Sequence, residues 1–377
     1  MNAAEFPRKT GDEMKERAAE FARRVHAERP GLSGSPFFPE GLWEEMAEAG
    51  LLGIGISKEF GGSGGGSETL IEAGRALVNH GRCLGLGLTF MIHGAVARHV
   101  MARLGSGEQK ARFLPLLADG RLTASIAMSE PGVGAHPKTL STRAERDGNG
   151  WRLSGKKAYL TNGPLAGLFV VVAVTGEREG RKEFSAFLVP RESPGLAVEA
   201  PKSLEMLRPS PHCGIVLDSV SVPASALIGT PGAAYEEIMK PFRVVEDVLM
   251  AGPVLGGLDA LISSISRSLA GKEPEPAIAD GIGRFLVMRH ALSAVAGEAA
   301  RLLDSGGMGE RLTALTIAFR TLARQTAEAL NGMSPGLAGE EEILARDLAA
   351  AGGIAAKVTA LKQAALGRAF LARAVRP

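Results

Sequence analysis

The sequence predicts an α+β fold in three sections, an N-terminal helical domain (1–122), a central β-domain (123–230) and a C-terminal helical bundle (231–377). Three observations carry this prediction. Apolar residues recur at helical spacing near the amino terminus, short runs rich in Val, Ile, Phe and Thr fill the middle, and helical periodicity returns after Thr230. The 377 residues are enough to bury the core of two or three such domains.

In the first section Met14, Ala18 and Phe21 share one helical stripe, and Leu42, Met46 and Leu51 mark another. The glycine-rich run from Lys58 to Gly66 interrupts them and reads as a loop, because glycine removes both helix propensity and side-chain packing. In the middle section Leu168–Val174, Ser185–Pro190 and Gly214–Val222 read as strands, and Asp147-Gly148-Asn149-Gly150 reads as a hairpin turn. In the last section Phe242, Val245 and Leu249 lie on one stripe, followed by long Ala/Leu-rich segments after Ala279. Breaks are expected at Gly271-Lys272-Glu273-Pro274-Glu275-Pro276, read as disordered, and at Met333-Ser334-Pro335-Gly336.

Forty-three basic against 41 acidic residues leave a net charge of +2, too little to neutralise a run of phosphates, so no nucleic-acid function is supported. The two cysteines, Cys83 and Cys213, suit a reducing compartment and lack the spacing of a zinc site. His93, His136 and His212 stand far apart and outside any ligand-spaced motif, so no metal is assigned. The stretch from Met1 to Arg24 is charged and lacks a signal-peptide core, and the longest apolar run, Leu168–Val174, is too short to cross a bilayer. A soluble cytoplasmic protein without a membrane span is expected.

Five segments then occur in a recognisable order: Trp43 to Gly62, Gly105 to Gly120, Met128 to Gly134 (MSEPGVG), Trp151 to Gly163 (WRLSGKKAYLTNG) and Gly214 to Pro223. Together they resemble successive motifs of the acyl-CoA dehydrogenase family. The resemblance implies FAD as cofactor, an acyl-CoA or acyl-carrier-protein thioester as substrate, and an electron-transfer flavoprotein as electron acceptor. It also implies a homodimer or homotetramer. Carried onto this chain, the flavin contacts are Met128, Ser129, Gly134 and Thr161, with Tyr159 against the ring and Arg267 in the Arg-x-x-Phe-Gly motif.

Removing the α-proton of a thioester requires a carboxylate held against it in a dry site. Most of the family places a glutamate near the carboxy terminus, where this chain has Gly352-Gly353-Ile354-Ala355-Ala356 and no carboxylate. A minority, including isovaleryl-CoA and long-chain acyl-CoA dehydrogenases, carries it earlier, and Glu246 falls on that position. Phe242, Arg243, Leu249 and Met250 share its helical face. An apolar setting of that kind raises a carboxylate's pKa, whereas Arg243 offers an ion pair. Asp247 departs from the family's arginine and adds a second negative charge.

Other departures affect the positions that resemble the FAD diphosphate and adenine contacts. Ala135 and His136 replace a serine and an aspartate, Ala270 replaces the phenylalanine after Arg267, and Ala329-Leu330-Asn331-Gly332-Met333 is a reduced Gln-x-x-Gly-Gly motif. Arg208 matches the family's Gly-x-Arg-x-Ser segment, near the thioester or in a structural role. These departures admit a partner-dependent or non-catalytic subunit of a heteromer of homologous chains, and the fold, which also hosts oxygen-using members without the usual base, admits a flavin monooxygenase or oxidase.

Overall fold

The computed structural model describes residues 10–271, 273–333, 338–354 and 356–374. In chain order the first helices are α1 (Thr10–Glu28), α2 (Leu42–Glu48), α3 (Ser67–Gly81), α4 (Leu84–Gly94) and α5 (Gly107–Ala118). Strands β1 (Ala124–Ala127), β2 (Arg143–Asp147), β3 (Gly150–Thr161), β4 (Leu168–Arg178), β5 (Arg181–Pro190), β6 (Leu196–Val198), β7 (His212–Pro223) and β8 (Leu227–Ile228) follow. The chain then returns to helices: α6 (Lys240–Leu249), α7 (Ala251–Ser268), α8 (Pro276–Asp304), α9 (Glu310–Met333), α10 (Glu340–Gly353) and α11 (Ala356–Ala374). The helix, strand, helix order is the one the periodicity predicts.

Met14, Ala18 and Phe21 are buried along α1, and Phe242, Val245 and Leu249 along α6. Leu51 is buried but lies beyond α2, because Gly50 turns to φ 70° and ends the helix as a left-handed residue. Asp147 pairs with Gly150 across the expected hairpin. The segment read as disordered is described, apart from Lys272, as a connection that leads Pro276 into the first turn of α8. The break at Met333 coincides with the end of α9, and residues 334–336 lie outside the described residues.

Two stretches, Leu84–Ala102 and Tyr235–Ser268, are long and apolar enough to span a bilayer, which corrects the estimate taken from Leu168–Val174 alone. Their apolar windows are 83% and 78% buried within the protein, as expected of core helices.

The chain divides into two compact units, and neither is continuous in sequence. The first, over 1–34, 66–87 and 247–377, is helical. Its centre is α3, which packs against α1 and α7. A Cβ at Gly252 would run into the Ile71 carbonyl, and one at Gly256 into that of Arg75, so α7 approaches α3 as closely as backbones allow. Gly252→Ala is therefore expected to destabilise the fold by ~1–3 kcal/mol, read as a lower urea midpoint at unchanged m-value. Asp259 on α7 receives Arg75 and Arg289, each at 2.7 Å, and Asp304 caps the start of α3 through the Ser67 amide at 2.8 Å.

The second unit, over 35–65 and 88–246, is built on one sheet of order β6-β7-β3-β2-β4-β5-β8, with β1 paired to β4. Phe169, Val171, Phe187 and Ile215 are fully buried in its core, each stabilising by ~1.5–3 kcal/mol. Trp151 packs on Phe187 at 5.2 Å, and the Arg146 guanidinium lies over the Trp151 ring at 4.0 Å. The glycine-rich loop between α2 and α3 closes through the Gly55 amide to the Gly64 carbonyl at 2.8 Å.

Candidate active site

The end of β1 and the middle of β3 form the most constrained part of the sheet unit. Lys157 on β3 is fully buried and its Nζ donates to the Met128 carbonyl at 3.1 Å and to Glu130 Oε1 at 3.0 Å. The other oxygen of Glu130 accepts the Ser141 amide and hydroxyl, both at 2.8 Å, while Oε1 also accepts the Thr142 amide at 2.8 Å. Burial pushes the Glu130 carboxyl up, but its hydrogen bonds to Thr142 and the Lys157 ammonium outweigh burial and hold it at about 2, below the usual 4.5. Burial lowers Lys157 to about 8, against the opposing pull of Glu130. The pair fixes Met128 and Ser129 between β1 and a tight turn, in which the Glu130 amide donates to the Gly134 carbonyl at 2.9 Å and the Gly134 amide returns to Glu130 at 3.1 Å.

Immediately after Lys157 the register of β3 against β7 shifts, so that Ala158 and Tyr159 oppose Gly214 alone. The Ala158 amide stays bound to the Ser129 carbonyl at 2.9 Å, which joins the two predicted flavin motifs through their backbones. Tyr159 takes φ 59°, a left-handed conformation that disfavours a bulky residue, and its side chain is 60% exposed while Ala158 and Leu160 are buried. The bulge thus holds an aromatic ring out of the core at a cost in backbone strain, a combination characteristic of ligand-holding positions.

Thr161 ends β3 opposite His212 on β7, with its Oγ1 3.0 Å from His212 Nε2. Its carbonyl accepts the Ser125 hydroxyl at 2.7 Å. The next residue, Asn162, is buried at φ 62° and donates Nδ2 to the Thr89 carbonyl at 2.9 Å. The Val133 side chain and Gly134 are exposed, and a Cβ at Gly132 or Gly134 would meet open space. Ala135 and His136, which stand where the resemblance expects a serine and an aspartate, are exposed as well. This arrangement can seat a flat ring against Tyr159 and a polar edge against Thr161.

Glu246 closes the same unit on α6. Its carboxylate is 3.7 Å from the Arg243 guanidinium and its side chain is 29% exposed. Phe242 is buried one turn earlier on that helix, so a buried apolar residue and the Arg243 cation both lie near Glu246 in sequence, and its setting is not apolar throughout. Asp247 belongs to the helical unit, where Arg320 at 3.0 Å and Lys362 at 3.5 Å neutralise it. The second negative charge that the sequence sets beside Glu246 is therefore compensated. Asp247 also lines a small cavity of about 30 Å³ together with Met250, Val254, Phe319 and Gly352.

Arg267 is in the helical unit, exposed on α7, and donates to Ser264 Oγ at 3.2 Å. Arg208 donates to the Leu204 carbonyl at 2.6 Å. His93 is a core residue: its Nε2 lies 3.0 Å from the Leu52 carbonyl, its ring stands edge-on to Trp43, and burial lowers it to about 4. Burial also pushes the thiol of Cys83 up to about 12 and that of Cys213 to about 11, which leaves both protonated.

Two groups at this site escape sequence reasoning. The Lys157–Glu130 pair joins residues 27 apart, and His212 carries no ligand spacing, so only the pairing of β3 with β7 brings it to Thr161. Both lie inside or beside the segments that carry the resemblance, which is the one signal that points to them.

Known proteins share both the sequence pattern and the architecture. The profile of the acyl-CoA dehydrogenase N-terminal domain matches residues 8–121, and that of the middle domain matches residues 125–220. An acyl-CoA dehydrogenase of Mycobacterium tuberculosis is 31% identical over 208 residues, 54% of this chain and 53% of that protein, so the match spans about half the length of that relative. The Bacillus subtilis protein YngJ, which carries the acyl-CoA dehydrogenase name, is 30% identical over 258 residues, 66% of this chain and 67% of its own length. The structure of butyryl-CoA dehydrogenase from Megasphaera elsdenii superposes with a TM-score of 0.86 over 98% of this chain and all of that one, at 18% identity. Two matching domain profiles in the right order, a relative covered over two thirds of its length and a shared helix, sheet, helix architecture establish that the chain belongs to the acyl-CoA dehydrogenase family.

Proposed function

We propose that this chain is an FAD-dependent dehydrogenase of acyl thioesters, acyl-CoA or acyl-carrier protein, which converts them to the enoyl thioester. The observation that carries the reading is that Met128, Ser129, Gly134, Tyr159 and Thr161 all fall with Glu246 in one compact unit. The flavin-ring end fits: a strained, exposed aromatic, a hydroxyl at position 161 and an open glycine turn are what a planar ring with a polar edge requires. When bound there, FAD supplies the two-electron acceptor for the β-hydride.

The chain's own residues supply the rest. Glu246 takes the α-proton, and the Arg243 guanidinium compensates its charge until a thioester arrives. Lys157 and Glu130 hold the Met128–Ser129 backbone rigid. Thr161 presents a hydroxyl to the polar edge of the ring. By its match to the family's Arg-x-x-Phe-Gly motif Arg267 is proposed as a contact of the FAD diphosphate, and an electron-transfer flavoprotein is the proposed recipient of the electrons. A homodimer or homotetramer is the assembly we propose.

A partner-dependent form of the same reading is favoured by one observation, the replacement of a serine and an aspartate by Ala135 and His136 in the turn. Purifying the chain alone, recording its visible spectrum and titrating it anaerobically with a panel of acyl-CoAs separates these readings. A yellow protein bleached by at least one acyl-CoA is expected. A colourless protein that gains flavin only with a homologous chain would move the assignment to a heteromer. Bleaching followed by rapid reoxidation in air would mark an oxidase, and a yellow protein that no thioester bleaches would overturn the dehydrogenase.

A further inference from the structure

We infer that His212 is a positioning residue that commits the Thr161 hydroxyl proton to itself, so that Thr161 meets the flavin only as a hydrogen-bond acceptor and thereby favours the two-electron-reduced ring. The inference rests on the flavin reading above and names the device by which this chain biases the cofactor.

For a neutral imidazole the geometry leaves one consistent arrangement of protons. His212 Nδ1 is 2.9 Å from the Ser210 carbonyl oxygen, which has no proton to give, so Nδ1 carries the hydrogen and donates. The ring is buried, and burial lowers its pKa, so it is neutral and Nε2 is left as a bare acceptor. Nε2 is 3.0 Å from Thr161 Oγ1, so the hydroxyl must donate to it. A hydroxyl has one proton. With that proton spent on His212, Oγ1 has only lone pairs to offer a ligand.

Strand pairing makes the arrangement rigid. Thr161 and His212 are register partners across β3 and β7, and the Thr161 carbonyl is held by Ser125. The Ser210 hydroxyl in turn accepts from Thr89 at 3.3 Å, which ties the segment before β7 to the helix that follows Cys83. The Thr161 hydroxyl therefore cannot reverse its role without breaking the His212 contact. An acceptor-only hydroxyl discriminates between the oxidation states of a flavin. The oxidised ring offers mainly acceptors along its polar edge, whereas two-electron reduction adds an N–H donor there. Lone pairs facing that edge repel the former and bind the latter.

The test combines a spectroscopic readout that needs no flavin with a potential that does. In the wild-type protein, long-range ¹H–¹⁵N NMR is expected to show His212 protonated at Nδ1; the Nε2-protonated form would overturn the inference. In His212→Phe, Thr161 regains its proton for the ligand, and the flavin midpoint potential is expected to fall by ~30 mV or more, a tenfold loss of preference for the reduced form in a two-electron couple. Thr161→Val should lower the potential in the wild-type background and lose that effect, or reverse it, beside His212→Phe. An equal shift in both backgrounds, or a His212→Phe protein with bound flavin and unchanged potential, would overturn the positioning role while leaving the flavin reading intact. A wild-type chain that takes up no flavin, alone or with a homologous partner, would overturn the flavin reading and this inference with it.

Discussion

Glu246→Gln is expected to leave FAD bound and to slow bleaching by acyl-CoA by about 10²–10⁴-fold, the range that a positioned general base contributes. The amide keeps the size of the side chain and its hydrogen bonding but cannot accept the α-proton. The neighbouring carboxylate is no substitute, because Asp247 is already held by Arg320 at 3.0 Å and Lys362 at 3.5 Å. Asp247→Asn should accordingly cost stability through the uncompensated Arg320 while leaving bleaching much faster than in Glu246→Gln. The usual carboxy-terminal position cannot take over either, since Gly352 and Gly353 have no side chain. Stopped-flow bleaching under nitrogen measures the effect; equal rates in wild type and Glu246→Gln would remove Glu246 from the chemistry.

Glu130→Gln is expected to destabilise the protein by ~3–5 kcal/mol, the scale for breaking a buried ion pair. Both carboxylate oxygens face donors only: Oε1 receives the Thr142 amide and Lys157, and Oε2 receives the Ser141 amide and hydroxyl. Whichever oxygen the amide replaces, an N–H₂ is set against at least one backbone N–H that can only donate, and the Lys157 ammonium keeps no full counter-charge. The sign with pH follows from the lowered carboxyl. Glu130 titrates at about 2 in the fold against an ordinary 4.5, so its stabilisation is complete above about pH 4.5 and is lost as pH falls towards 2. Urea midpoints of wild type and Glu130→Gln should thus differ fully at pH 6 and converge below pH 4. A constant gap across that range would show that the charge of Glu130 does not contribute.

Much of the fold is legible in the residues because its signals are local. Met14, Ala18 and Phe21 repeat at helical spacing and are buried on one side of α1, and the Val-rich run at Leu168 opens β4. The Asp147–Gly150 turn is encoded by the residues that occupy it. Leu51 shows the limit, since it keeps the apolar period while a glycine one residue earlier has already ended the helix. The site is legible in part. The family motifs name Ser129, Tyr159, Thr161 and Glu246 as candidates, but nothing local states that Tyr159 is strained and exposed, because that depends on a bulge created by the pairing of β3 with β7.

The sequence by itself determined the succession of helices, strands and helices, the turn at Gly148 and the family to which the chain belongs, since periodicity, turn chemistry and motif order are properties of neighbouring residues. Only the tertiary structure decided which segments share a compact unit, with residues 66–87 joining 247–377 and residues 35–65 joining 88–246. It likewise decided that Glu130 is paid for by Lys157, Asp247 by Arg320, and the Thr161 proton by His212. The physical reason is the same in each case: a buried charge or hydroxyl must be matched within ~3–4 Å, and the group that matches it is chosen by chain packing rather than by distance along the chain.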